Sequence, residues 1–225
     1  MQTVCRNFPL MHRLALALAL ALAVAGLGAC GDDHDEGGDD HGHDEESEVI
    51  SRVELTFTPK AGGEPLVYAF TDPDGDGGVS GMADRVELAA GVEYDLAVRF
   101  VNTIADPEED ITEEIKEESE DHLVFVLGDV SGPASSTSPA LLTHAYADKE
   151  SDYGDNAVGD DLPVGLANTI TAGAGGSGEL RIVLRHLPPL NDQPQKTAEL
   201  PADLAAGRDL PGGVDADITF ELVVS

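Results

Sequence analysis

The chain has 225 residues, of which 44 are acidic and only 12 are Lys or Arg, so its formal net charge at pH 7 is −32. This excess of carboxylates excludes nucleic acid as a partner, because binding phosphates requires Lys and Arg side chains. Cations, or a basic protein surface, are the natural counterparts of such a surface. High solubility, or adaptation to high salt, is the alternative explanation for the charge.

The first thirty residues have the three zones of a secretory signal peptide. Arg6 and Arg13 give a basic start, residues 14–25 form an unbroken apolar run, and small residues close it. This order defines a secretory signal. A transmembrane helix needs about 20 apolar residues, and this run is shorter. Residues 1–29 are therefore predicted to be removed on export, with Met11 as an alternative start to Met1.

The signal ends in the sequence LGAC at residues 27–30, which resembles the lipobox of bacterial lipoproteins. The resemblance implies cleavage before Cys30 and attachment of lipid to its thiol. Two or more acyl chains hold a protein firmly on a bilayer. The lipobox resemblance therefore predicts a lipid-anchored envelope protein. In enteric lipoproteins, an Asp directly after the lipidated cysteine favours retention in the inner membrane. Gly31 holds that position here, so the predicted location is the outer membrane.

Cleavage at this point leaves a cysteine-poor and still more acidic chain. Cys5 leaves with the signal and Cys30 carries the lipid, so no disulfide and no thiolate metal site remain. Loss of Arg6 and Arg13, with no acidic residue, moves the net charge from −32 to −34. Residues 31–48 contain no apolar side chain, so we expect residues 30–48 to form a lipidated, disordered tether.

From residue 49 onward the sequence predicts one β-rich domain, over residues 49–225. Apolar and polar residues alternate with the period of two that is typical of half-buried strands. One short, very acidic helix is predicted over 106–121, with Asp110 as its cap, and long loops over 131–139 and 188–213. The predicted strands, about nine in number, lie at 52–58, 65–70, 85–88, 94–101, 123–127, 141–146, 166–171, 179–187 and 217–224.

The connections between these strands decide the fold class. A parallel sheet would need a helical crossover between strands, and only one helix is predicted. The sequence therefore predicts a mainly β fold, a single antiparallel β-sandwich of the immunoglobulin-like kind.

The tether is the first candidate metal site. His34, His41 and His43 lie among ten carboxylates between residues 32 and 48. Short His-rich tracts are typical of metal binding, and imidazole suits zinc, copper and nickel. A flexible site of this kind would capture or buffer Zn²⁺ or Cu²⁺ weakly. The alternative is an acidic spacer in which the histidines have no role.

A second candidate lies at the end of the predicted acidic helix. Glu118 and His122 are four residues apart and would share a face if the helix reached that far. His186 would join them only if its predicted strand, 179–187, lay next to the strand that follows His122. The alternative is a solvated acidic helix beside a histidine whose ring nitrogens form hydrogen bonds with neighbouring protein groups.

The sequence DPDGDG at residues 72–77 is a candidate calcium site. Asp72, Asp74 and Asp76 with Gly77 match the opening of a calcium-binding loop. The twelfth position is Ala83 rather than Glu, so a tight Asp- and Gly-rich turn is the alternative.

Sequence motifs of nucleophilic and nucleotide-dependent enzymes are absent from the chain. It contains no GxSxG, HExxH, P-loop or Rossmann glycine pattern. We therefore expect a protein without catalytic activity.

From Glu48 onward the chain resembles a group of small bacterial lipoproteins, common in Bacteroidetes and relatives, that have no established role. Some members carry the label of a type 1 periplasmic-binding fold, a large α/β architecture, whereas the pattern here is all β. Genes of the group often lie near outer-membrane receptors for metal uptake, which implies such a receptor as a partner. The matching stretches are EVISRVELTFTP, DPDGDGG, DPEEDITEEIKEESEDH, HAYAD, LANTITAG, ELRIVLRHLP and DADITFELVV.

Two functional hypotheses follow from these observations. The first is a membrane-anchored, non-catalytic lipoprotein that binds zinc or copper as an accessory to uptake or sensing. The second is a structural or interaction module displayed on an acidic stalk, with Asp-rich loops that bind either calcium or no ion. An enzyme is the third and least supported class.

Overall fold

Two β-sheets pack face to face in the computed structural model, which describes residues 49–75, 81–155 and 159–225. The prediction of a mainly β sandwich is confirmed. The predicted signal peptide, Cys30, the histidines His34, His41 and His43 of the predicted tether, and Asp76 of the candidate calcium site lie outside the described residues.

The larger sheet has eight strands in the order β3-β2-β1-β5-β10-β9-β7-β8. Its pairs are antiparallel except β7–β9, which is parallel. The strands are β1 (Arg52–Pro59), β2 (Leu66–Thr71), β3 (Met82–Ala83), β5 (Glu93–Val101), β7 (Val130–Gly132), β8 (Ser135–Ser136), β9 (Leu142–Tyr146) and β10 (Ala167–Ala172).

The smaller sheet has four strands in the order β4-β12-β11-β6. The β11–β12 and β11–β6 pairs are antiparallel, and β4 joins β12 in parallel. The strands are β4 (Val86–Leu88), β6 (His122–Gly128), β11 (Gly176–His186) and β12 (Gly213–Val224).

The main core lies between the two sheets, where alternate residues of each strand point inward. On β5 the buried Leu96, Val98 and Phe100 alternate with Asp95, Ala97 and Arg99. A second, smaller cluster lies on the other face of the small sheet, under the helix α2 (Leu200–Ala205). Strand β6 serves both clusters, so Leu123 to Val126 are buried without alternation. This double burial is why its sequence is a continuous apolar run.

Helix α1 (Ile111–Glu117) is anchored to β5. The Asp110 side chain caps its first turn by accepting from the Thr112 N–H, and it also accepts from the Arg99 guanidinium at 2.9 and 3.0 Å. The Thr112 hydroxyl accepts from the Phe100 N–H at 2.9 Å and donates to the Phe100 carbonyl at 3.1 Å. These bonds fix where the helix begins and hold its first turn against the sheet.

The predicted elements differ from the structure in three respects. All nine predicted strands are present, but β3, β7 and β8, of two or three residues, are too short for a period to be detected. The acidic helix is shorter than predicted, because residues 106–109 precede its cap. A second helix, α2, lies in the predicted loop 188–213, where a mixed Pro- and Ala-containing sequence shows no clear helical period. In the described ranges no helix is both long and apolar enough to cross a membrane.

Candidate functional site

Two histidines meet at one end of the small sheet. His122 is the first residue of β6 and His186 the last of β11, and the antiparallel register sets them directly opposite each other. Their rings stack with centroids 4.6 Å apart and planes within 5° of parallel. His122 lies on the same face as Val124 and Val126, so the pair closes one end of the main core.

Glu118 completes a group of three ligand-type side chains. It is the C-cap of α1, with φ −107° and ψ 37°, and therefore leaves the helix just before β6 begins. One carboxylate oxygen of Glu118 and one ring nitrogen each of His122 and His186 lie within 4.8 Å of one another. His122 is buried, His186 half-buried and Glu118 exposed, so the group opens to solvent on the carboxylate side.

The condition under which Glu118 and His122 would share a helical face is not met, although the two residues do meet. Helix α1 ends at Glu117, and residues 119–121 form a tight connection to β6. Within it the Asp121 N–H donates to the Glu118 carbonyl at 2.9 Å. The Leu187 N–H donates to the Asp121 carbonyl at 2.6 Å, which ties the end of β11 to the same turn.

The hydrogen bond of His122 decides which ring nitrogen can bind a metal. Nδ1 lies 3.2 Å from the Glu118 backbone carbonyl. A carbonyl oxygen only accepts, so Nδ1 must carry the proton, and the neutral ring has its lone pair on Nε2. Metal-binding histidines are commonly oriented in this way, with the second ring nitrogen donating to a carbonyl or carboxylate.

Burial keeps His122 neutral. Loss of hydration lowers its pKa to about 4, the positive charges of His186 and Lys196 act in the same direction, and the hydrogen bond to Glu118 opposes them. Parallel stacking on His186 also disfavours two imidazolium rings. Neutral imidazole is the form that binds a metal.

Three carboxyl groups besides Glu118 interact electrostatically with His186. Burial raises the pKa of Glu114, Asp121 and Asp215. A positive charge on His186 opposes the rise in each case, so all three carboxylates lie within Coulombic reach of that ring. The site therefore places two imidazoles in a field of negative charge, which favours a cation.

A buried ion pair supports the turn between Glu118 and His122. The Lys196 ammonium lies 2.7 Å from a Glu150 carboxylate oxygen and donates to the Ser119 carbonyl at 2.6 Å. The two side chains are only 2% and 3% exposed. Burial lowers the pKa of Lys196, and the bond to Glu150 opposes that shift.

A cleft of about 530 Å³ opens beside this ion pair. Lys196 and Asp121 both line it, so the cleft adjoins the turn that carries the histidine site. Its carboxylates are Glu120, Asp121, Glu150, Asp160, Asp192 and Glu199.

The other predicted sites lie wholly or partly outside the described residues. Asp72 is buried just after the end of β2 and Asp74 is exposed, while Asp76 is undescribed, so the calcium hypothesis stays a prediction. His144, the remaining domain histidine, is buried and bonds the Asn168 side chain at 2.8 Å, away from the group of three.

Sequence reasoning missed three residues of the site's surroundings: Lys196, Glu150 and Asp215. Lys196 and Asp215 lie in or beside the predicted 188–213 loop, and Glu150 lies in a short 3₁₀ helix, Glu150–Asp152. None carries a local pattern, because their roles depend on segments that are distant in the chain and meet only in the fold.

Comparison with known proteins adds no relative: no family model matches the chain, and no curated protein or solved structure matches it significantly.

The Lys196–Glu150 pair yields a stability prediction. Lys196→Met leaves the Glu150 carboxylate buried without its cation, so we expect the free energy of unfolding to fall by about 3–5 kcal/mol. The double variant Lys196→Met/Glu150→Gln should regain most of the loss, because the amide oxygen introduced at position 150 can still accept from the Leu162 N–H. Urea denaturation measures both. Lys116→Met, which breaks a surface pair with Glu113, is the control and should change stability little.

The lowered pKa of His122 predicts acid sensitivity. The folded protein binds a proton on this ring less readily than the unfolded chain, so the stabilisation is complete above pH 6.5 and is lost as the pH falls toward 4. With the pKa at about 4, wild type should lose about 3 kcal/mol more than His122→Gln between pH 7 and pH 4. Denaturation with a chelator present measures the difference. Equal losses in the two proteins would contradict a neutral, buried His122.

Proposed function

We propose that this protein is a lipid-anchored envelope protein whose sandwich domain binds a divalent transition metal at Glu118, His122 and His186. One observation carries the proposal. Two cross-strand histidines and the carboxylate of the C-cap residue of α1 present ligand atoms within 4.8 Å of one another, and one histidine is already oriented through Nδ1. The function is metal capture and transfer without catalysis, as an accessory to uptake or sensing.

The donor set favours zinc, with copper as the second choice. Imidazole nitrogens suit zinc, copper, iron and nickel, whereas calcium and magnesium prefer sites made only of oxygen atoms. Two histidines and a glutamate form a three-ligand set that leaves a fourth position of a tetrahedral ion open. Ligand atoms about 2.1 Å from a tetrahedral zinc lie about 3.4 Å apart. Small rotations of the exposed Glu118 and half-buried His186 would bring them to that spacing.

The open side of the site favours exchange over permanent storage. Glu118 is exposed and His186 half-buried, so an ion can enter and leave from solvent. The tether residues His34, His41 and His43 would act as a first, weaker capture site on the same anchored chain. A membrane receptor for metal uptake, which the resemblance to small lipoproteins implies, is the proposed recipient.

Calorimetric titration of the full chain with zinc tests the site. We expect one tight zinc ion in a chain in which His34, His41 and His43 are changed to Ala. Adding His122→Gln or His186→Gln should weaken binding by more than about 100-fold, because loss of a ligand exceeds the cost of losing an outer-shell partner. The matched control is His144→Gln, which removes a buried histidine outside the group.

The remaining outcomes separate the alternatives. Binding that is lost with the tether histidines and unaffected by His122→Gln would assign the metal to the tether. Absence of zinc binding in the unaltered chain would refute the metal hypothesis. Calcium binding without zinc binding would instead favour the displayed interaction module, with Asp72, Asp74 and Asp76 as ligands.

The lipid anchor is tested separately. Cys30→Ser removes the thiol that the proposed modification requires, so the protein should move from the membrane fraction to the soluble envelope fraction. Metabolic labelling with a fatty acid measures the modification directly, and fractionation on a density gradient distinguishes outer from inner membrane. Equal labelling of the variant would contradict lipidation at this residue. Cys5→Ser is the matched control and should change neither result.

A further inference from the structure

Asp215 occupies an irregular position in the small sheet next to the histidine site. Leu184 of β11 pairs with Ala216 of β12, but Arg185 pairs with Val214, so Asp215 has no partner across the ladder. It is the extra residue of a β-bulge. Bulges redirect side chains, and they are frequent beside functional sites.

The Asp215 carboxylate has an unsatisfied atom. Its Oδ2 is buried and has no hydrogen-bond partner within ranges 49–75, 81–155 and 159–225. A buried acceptor without a donor destabilises the folded protein. Arg185, which faces the bulge, donates to the carbonyls of Leu210, Pro211 and Gly212 at 2.8–3.1 Å.

His186 lies near Asp215 in the ladder between β11 and β12. Position 186 pairs with Gly213, two residues before Asp215. A positive charge on His186 lowers the pKa of the Asp215 carboxyl, against the larger effect of burial. Asp215 is not among the side chains whose ligand atoms lie within 4.8 Å of one another, so it lies outside the inner ligand group. A carboxylate that lies outside the ligand group but interacts electrostatically with His186 is suited to orient that imidazole rather than to bind the ion.

We propose that Asp215 is a positioning residue of the metal site: in the metal-bound protein its carboxylate accepts a hydrogen bond from the His186 ring N–H that faces away from the ion. The inference rests on the metal-binding function proposed above. The two histidines are then oriented by different partners, His122 by the Glu118 carbonyl and His186 by Asp215. A carboxylate partner also makes the imidazole more basic and so a stronger ligand.

This role has an unusual signature, because in the metal-free protein the cost of burying the carboxylate outweighs its attraction to His186 and Arg185 and raises the pKa of Asp215. Asp215→Asn removes a buried charge whose Oδ2 has no donor, so the thermal unfolding midpoint of the metal-free chain should be unchanged or higher. Zinc affinity should fall about 10–100-fold, the usual cost of losing an outer-shell partner. A residue with only a structural role would instead lower stability and leave the affinity of the folded protein unchanged.

The experiment uses the full chain with His34, His41 and His43 changed to Ala, titrated with zinc against a chromogenic chelator. Visible absorption of the Co²⁺-loaded protein supplies a second measurement, which should change in band position or intensity in Asp215→Asn. The matched control is Asp217→Asn on the same strand, whose exposed carboxylate pairs with Arg181 at 2.6 Å. It should leave zinc affinity and the Co²⁺ spectrum as they are in the parent.

The failures of the two proposals are distinguishable. If the parent chain binds zinc through His122 and His186 but Asp215→Asn binds equally tightly, the role of Asp215 is refuted and the metal site stands. A lower unfolding midpoint of metal-free Asp215→Asn would also refute it, because the carboxylate would then stabilise the fold. If the parent chain does not bind zinc, the metal site itself fails and the role of Asp215 fails with it.

Discussion

The antiparallel pairing of β6 with β11 is the constraint on which the rest of this domain depends. It brings together segments that are far apart in the chain, and β6 is buried on both faces, between the main core and the cluster under α2. Slipping the register by one residue would exchange those faces and misplace the apolar side chains of β6. The same register sets His122 opposite His186. The burial of β6 and the geometry of the candidate site therefore depend on the same strand register.

The site combines rigid and adjustable parts. His122 is fixed by burial, by its strand and by the bond from Nδ1 to the Glu118 carbonyl. Glu118 stands at the end of a short helix, where its side chain is exposed. Binding sites that must release their ligand benefit from this division, because a preorganised group supplies affinity while an adjustable ligand allows exchange. Lys196 stabilises the rigid part through the Ser119 carbonyl.

Partly buried carboxyl groups near His186 favour a cation at the candidate site more than the net charge of the protein does. The carboxylates of a strongly acidic surface are mostly hydrated and screened. Those of Glu114, Asp121 and Asp215 are partly removed from water, and a positive charge on His186 lowers the pKa of each. Burying negative charge is costly without a counter-charge. A divalent ion between Glu118 and the two histidines would supply that charge.

The sequence by itself determined the fold class, the nine predicted strands and the cap at Asp110, because alternation and capping are local patterns set by backbone geometry. It also supplied His122, His186 and Glu118 as separate candidates, and the predicted signal peptide and lipid anchor depend on local sequence alone. Only the tertiary structure decided that the three candidate ligands meet, that Glu118 leaves the helix, and that Lys196, Glu150 and Asp215 lie around the candidate site. Those facts depend on strand register, on a bulge and on contacts between distant segments. A local pattern carries no signal for such features, because the energy that fixes them is shared across the whole sheet.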